Sequence, residues 1–242
     1  MLLDFVNENR LTHRIATLIM NKLGIEHVPY TITWIDNKPY SVCEDFITKD
    51  TELISAWRVL QLRQKANHES SYLHYVNICK ELGIDIVPAL DRMIVLDYII
   101  ANEDRHFNNF GLLRDANTLE WIGAAPIFDS GTSLWYDTSA RGISTYDIPC
   151  KPFKKKHSEQ LRMVSSFDWL DISKLNGIED EILNILCEDN AVQYVEAERA
   201  KAIAAEIGKR IDKLEIIAAS HDSYDVSSNG DEVEEVNAAS YD

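Results

Sequence analysis

The chain has 242 residues, 45% hydrophobic and 26% charged, with a mean hydropathy of −0.22, which is enough apolar material for one sizeable buried core. Forty acidic residues against 24 basic ones give a formal charge of −16, a field that repels phosphate backbones and argues against nucleic-acid binding by the chain itself. No apolar run approaches the roughly 18–20 residues of a membrane span, Asp4, Glu8, Arg10, His13 and Arg14 break any signal-peptide core, and Cys43, Cys79, Cys150 and Cys187 form no disulfide framework, so the expectation is a reduced, cytoplasmic protein without membrane association.

Asn7 to Leu23 carries Leu11, Ile15, Leu18 and Ile19 on one helical face, with Gly24 placed to end the helix. Tyr30 to Trp34 and Tyr40 to Cys43 are β-rich and flank a turn-forming stretch, the pattern of a hairpin. Asp50 is placed as an N-cap, and helices are expected over 51–65, 71–82 and 88–101. In the last of these Leu90, Met93, Ile94, Leu96, Ile99 and Ile100 make the helix apolar nearly all round, as a buried helix is. Residues 110–113 and 119–122 read as a second β pair around a turn that starts at Asp115. The stretch 129–156 reads as irregular, and 178–188 and 191–218 as helices. From His221 to Asp242 there are seven carboxylates and no Lys or Arg, the composition of a disordered acidic tail. The order of elements is α+β and dominated by helix.

The chemistry concentrates in two stretches, Asn102 to Asn109 and Ile127 to Gly131. Asp104 and Asn109 stand five positions apart just beyond the buried helix, and Asp129 follows the second β pair. Any one of these is an ordinary turn residue on its own. Together, in this order, they supply what phosphoryl transfer needs: a carboxylate to orient an acceptor hydroxyl and take its proton, and an amide and a second carboxylate to hold divalent metal. A kinase catalytic loop spaces its Asp and Asn by the same five positions.

Four motifs carry a more specific likeness: Gly24-Ile-Glu-His-Val-Pro-Tyr30, Cys43-Glu-Asp-Phe46, Asn102-Glu-Asp-Arg-His-Phe-Asn-Asn109 and Ile127-Phe-Asp-Ser-Gly131. Over residues 7–165 the chain resembles the HipA-type serine/threonine kinases, including their HipA-like C-terminal module. The resemblance implies a two-lobed, protein-kinase-like fold that uses ATP and Mg²⁺ on a protein substrate. It implies Asp104 as catalytic base, Asn109 and Asp129 as metal and ATP ligands, and Glu44, Asp45 and Phe46 as the hinge that pairs with adenine. Arg105 and His106 brace the loop. An antitoxin-like partner, as in toxin–antitoxin systems, or an N-lobe partner is a further expectation. In these terms residues 1–46 are the remnant of an N-lobe, 47–220 a helical C-lobe with the catalytic and metal-binding loops, and 221–242 the acidic tail.

The departure from the pattern is the front of the nucleotide site. A complete kinase carries a phosphate loop and a strand Lys ahead of its regulatory helix. Before the hinge this chain has Lys22, at a helix end, and Lys38, in a hairpin turn, and Glu8 is the candidate partner of a strand Lys. The expectation is weak activity for this N-terminally truncated chain, with Lys22 or Lys38 the lysine to reach the phosphates if either does. Alternatives are a catalytically inactive binding module or a fragment needing an N-lobe partner, and a phosphoinositide-type lipid kinase, whose catalytic loop is similar. Phe128 to Ser133 also fits an aspartic-protease string, but there is no second copy to share a proton. Asp104, His106 and Asp129 lack the His and Cys spacing of a metal hydrolase. Lys151, Lys154, Lys155, Lys156 and His157 form a basic run, either a solvated loop or a docking patch for an acidic or phosphorylated segment.

Overall fold

Helix α1 (Asn9–Leu23) buries Leu11, Ile15, Ile19, Met20 and Leu23, and it stops where the sequence places a glycine. Gly24 has φ +67, which lets its N–H reach Asn21 O at 3.3 Å and Ile25 N–H reach Met20 O at 2.9 Å, the paired bonds of a Schellman cap. The computed structural model describes residues 2–3, 9–143, 148–188 and 191–228. After α1, strands β2 (Tyr30–Ile35) and β3 (Lys38–Cys43) pair antiparallel, and β1 (Leu2–Leu3) pairs with the other edge of β3. Asp36 and Asn37 join β2 to β3 with φ 48 and 59, the left-handed pair that a two-residue hairpin turn demands and that Asp and Asn tolerate.

The expected helix over 51–65 is not there. Thr51–Ser55 is strand β4, and only Ala56–Leu60 is helical, as α2. Strand β4 pairs antiparallel with β5 (Gly111–Asp115), from Thr51 opposite Asp115 to Ser55 opposite Gly111, and β5 pairs in turn with β6 (Trp121–Ala124). Tertiary pairing overrides local helix propensity here. Asp50 caps nothing; its carbonyl accepts from Ala116 N at 2.9 Å. Gly111 makes the approach possible, since a Cβ there would lie 2.2 Å from Ile54 O.

Helices α3 (Ser71–Glu81) and α4 (Val87–Ile99) fall close to their expected ranges, followed by α5 (His157–Leu161), α6 (Ile178–Leu186) and α7 (Ala197–Ser228). Helix α7 starts six residues later than expected and extends eight residues into the stretch read as a tail; residues 229–242 lie outside the described ones, as does Glu8. One continuous hydrophobic core runs from Leu11 to Leu214, with Leu90, Ile94, Leu96 and Ile99 of α4 at its centre. Arg14 and Lys22 tie α1 to the α6 region through Glu188 and Glu181, each at 2.7 Å. The result is a mixed helix-and-strand, α+β fold with two small three-stranded sheets. Among the described residues no helix is long and apolar enough to cross a membrane.

Candidate active site

Helix α4 is not wholly apolar: Asp91 and Asp97 are both buried in it. A buried carboxylate must be paired, and each of these organises a neighbouring loop. Asp91 accepts from Ser165 N at 3.0 Å, Ser165 Oγ at 2.5 Å and Ser166 N at 3.3 Å. Asp97 accepts from Asn102 Nδ2 at 2.8 Å, and its backbone oxygen takes Asn102 N–H at 2.9 Å. Ala101, at φ 53, turns the chain out of α4 into the loop. Asn102 Oδ1 then accepts from Asp104 N at 3.1 Å, His106 N–H donates to Asp104 O at 2.7 Å, and Asn109 N–H donates to His106 O at 2.8 Å. Asn109 Nδ2 adds a weaker contact to Asp104 O at 3.4 Å.

Arg105, fully buried, joins this loop to the second one. Its Nε and one terminal nitrogen grip both oxygens of Asp97 at 3.0 and 2.9 Å. The same terminal nitrogen donates to Ser130 Oγ at 3.1 Å. The other donates to Asn109 O at 3.2 Å, to Asp129 O at 3.1 Å and to Phe128 O. One guanidinium thus touches the backbone of both Asn109 and Asp129. Burial works against its charge, but attraction to Asp97 and hydrogen bonding with it, with the nearby Asp129 charge, outweigh that and leave its pKa above the ordinary arginine value.

Asp129 itself sits at φ 51, a left-handed conformation that Asp adopts at a cost of roughly 1–3 kcal/mol and that the surrounding contacts must hold. Its N–H donates to the Tyr30 hydroxyl at 3.3 Å, a phenol whose pKa is raised by burial. Helix α1 backs the turn that follows. Thr12 Oγ1 donates to Gly131 O at 3.0 Å, and the His13 ring lies so close that a Cβ on Gly131 would come within 2.5 Å of its Nε2. Residues 44–46 follow β3: Glu44 is exposed, Asp45 Oδ1 accepts from Ile47 N at 2.9 Å, and the Phe46 ring lies 5.4 Å from that of Phe128, next to Asp129. On the solvent side, Lys151 Nζ pairs with Asp104 Oδ1 at 2.5 Å.

A HipA-like C-terminal domain model matches residues 10–214, most of the chain. The chain belongs to the HipA-like C-terminal domain family. The serine/threonine-protein kinase CtkA of Helicobacter pylori is 29% identical over 128 residues, which are 50% of this chain and 39% of that protein, so the matched stretch spans well under half of the relative. The crystal structure of a Helicobacter pylori proinflammatory kinase CtkA superposes with a TM-score of 0.63 at 18% identity, covering 93% of this chain and 90% of that one, a likeness of fold. The chain is therefore related to a serine/threonine kinase and shares its architecture.

Lys22 and Lys38 of this HipA-like domain lie where the sequence placed them, at the end of α1 and at the β2–β3 turn. Lys22 is taken by Glu181, and Lys38 opens the exposed end of β3. The lysine against Asp104 is Lys151, from the run read as a solvated loop or docking patch; nothing in its spacing from Asp104 signalled the contact. Asp97 was also missed, although a carboxylate in so apolar a helix was a readable signal. The donor set suits a hard divalent cation. Among the described residues neither the Asn109 amide oxygen nor the Asp129 carboxylate accepts a hydrogen bond, so both keep oxygen lone pairs for Mg²⁺. No cluster of three His, Cys, Asp or Glu residues suited to a metal occurs among the described residues. A cavity of about 370 Å³ beside Ile25, Met93 and Ile127 is lined by none of Asp104, Asn109 or Asp129.

Proposed function

We propose that this chain binds ATP with Mg²⁺ and transfers the γ-phosphoryl group to a serine or threonine hydroxyl of a protein. The observation that supports this best is the Arg105 junction, which fastens the Asp104–Asn109 loop and the Asp129 turn to one buried guanidinium. Asp104 is half-buried and open to solvent on the side of Lys151, where an acceptor hydroxyl can reach it. Its carboxylate orients that hydroxyl and takes its proton as the new oxygen–phosphorus bond forms and the bond to the ADP oxygen breaks. Asn109 and Asp129 hold the metal side of the nucleotide. Bound Mg²⁺ supplies neutralisation of the phosphate charge. Phe46, against Phe128, offers an aromatic edge for adenine beside backbone groups of 44–46.

Incubation of the chain with Mg²⁺ and γ-labelled ATP, followed by phosphoamino-acid analysis of the chain and of an added Ser/Thr-rich protein, tests this reading. Labelled Ser or Thr is expected, with Asp104→Asn lowering the rate about 10²–10⁴-fold, the usual contribution of a positioned general base. Absence of nucleotide affinity at any Mg²⁺ concentration would leave a kinase-shaped binding module instead.

A further inference from the structure

Lys151 and Asp104 have side chains 55% and 37% exposed, and an ion pair so wet contributes little to stability. The loop that presents Lys151 is nevertheless tightly built. Cys150 N–H donates to Lys155 O at 3.0 Å, and Pro149 bridges antiparallel to Lys156, closing residues 149–156 on themselves. Gln160, 1% exposed, clamps the inside: its Nε2 donates to Lys151 O at 2.9 Å, and its Oε1 accepts from Phe153 N at 3.0 Å and Lys154 N at 3.3 Å. Phe153 then packs with its ring 5.7 Å from Phe107 and 6.1 Å from Phe110. Phe107 lies between Asp104 and Asn109, so the catalytic loop and the lysine loop share one aromatic cluster. A scaffold of this kind around a pair worth little to folding indicates that the position of the ammonium matters for something else.

We propose that Lys151 is a catalytic residue of the phosphoryl transfer, its ammonium binding the oxygens of the transferred γ-phosphoryl group. This rests on the kinase reading above and deepens it. A hydroxyl served by Asp104 lies about 3 Å from its carboxylate, and the phosphorus it attacks lies about 3–3.5 Å further on. A cation 2.5 Å from Asp104 Oδ1, on a flexible four-carbon stem, is within reach of the phosphoryl oxygens without moving its backbone. In the free site Asp104 holds the ammonium; with ATP bound, the phosphoryl oxygens take it over and leave the carboxylate for the hydroxyl proton. Charge builds on those oxygens during transfer, where a fixed cation acts most strongly.

Titration calorimetry of MgATP and MgADP, alongside steady-state phosphorylation, tests this on the full chain and on Lys151→Met, Lys151→Arg and, as a charge control on the same run, Lys155→Met. Lys151→Met is expected to lose at least fivefold in affinity for MgATP while keeping its affinity for MgADP, and to lose about 100-fold in kcat, the scale of one electrostatic donor. Lys151→Arg should recover part of both, and Lys155→Met should match the parent. Lys151→Met with kcat within threefold of the parent, or with equal losses for the two nucleotides, would overturn the role of Lys151 while a dead Asp104→Asn kept the kinase reading intact. A parent chain that binds neither nucleotide would overturn both. Thermal melts of each variant separate these outcomes from misfolding, and Lys151→Gln serves if Lys151→Met does not fold.

Discussion

Two ion pairs flank the same loop, and they are opposites. Arg105 and Asp97 form the floor, both with side chains at 0% exposure, and the guanidinium spends its remaining donors on backbone oxygens and Ser130. Lys151 and Asp104 form the rim, wet and joined by a single contact. The floor pair is saturated and cannot exchange partners without leaving a buried charge. The rim pair can exchange partners at little cost. Geometry is stored below the loop, and the groups able to exchange partners are held above it.

The largest expected effect comes from breaking the floor. Arg105→Ala strands the Asp97 carboxylate in the core and frees the Asn109 and Asp129 carbonyls, and loss of one partner of a buried pair costs about 3–5 kcal/mol. Urea denaturation should show that loss. Arg105→Lys should recover little of it, because a point charge cannot reproduce a fork that binds both Asp97 oxygens and three carbonyls at once. A lysine variant as stable as the parent would mean that charge alone, and not the forked geometry, holds the two loops together.

Next in size is the support from α1. Gly131→Ala would drive a methyl to within 2.5 Å of His13 Nε2, and overpacking of this kind costs about 1–3 kcal/mol. Because His13 is buried and bonds Ser41 at 3.1 Å, His13→Ala has its own cost, so the test is a double-mutant cycle. Gly131→Ala should cost much less in a His13→Ala background than in the parent, measured as shifts in the denaturation midpoint. If Gly131→Ala costs the same in both backgrounds, the close approach of α1 to the Asp129 turn is not what constrains Gly131.

The floor was half legible in the sequence and the rim hardly at all. Asp104, Asn109 and Asp129 stand out because their types and spacing are those of a known chemistry, and Arg105 was readable as a brace from its place beside Asp104. Its partner Asp97 was hidden by the very pattern that marked α4 as buried, since counting apolar positions passes over the two carboxylates, Asp91 and Asp97, that must be paired. Strand β4 was hidden differently: Thr51 to Ser55 become a strand because β5 lies alongside, and no local feature announces a partner some sixty residues away. Lys151 reaches Asp104 across 47 positions through the Gln160 clamp and the Phe107–Phe153 contact, and a run of lysines looks the same from sequence whether one of them points at a carboxylate or all point at water.

The clamp gives the third effect. Gln160→Ala leaves the Phe153 and Lys154 N–H groups and the Lys151 carbonyl without their side-chain partner, and an unmet buried polar group costs about 1–3 kcal/mol. Hydrogen exchange should quicken at the amides of Phe153 and Lys154 while the amides of α4 stay protected. If exchange quickens throughout the protein, the lysine loop is part of the global core rather than a separately held rim.

The smallest effect on stability belongs to the rim pair itself. Exposed pairs contribute about 0–1 kcal/mol, because the Coulomb gain in water is modest and two side chains must be held in one geometry to collect it. Lys151→Met leaves Asp104 able to take up water in place of the ammonium, so no buried charge is created. The backbone of the loop stays fastened by Gln160 and Phe153, neither of which depends on the ammonium. Lys151→Met is therefore expected to melt within about 1 kcal/mol of the parent, and raised salt should narrow even that gap, since exposed charges are screened. A loss above about 2 kcal/mol would exceed what an exposed pair contributes and would place Lys151 with Arg105 as a structural element of the floor. A loss within the expected range, set against the 3–5 kcal/mol of the Arg105 variant, would establish that the two pairs beside Asp104 do different work.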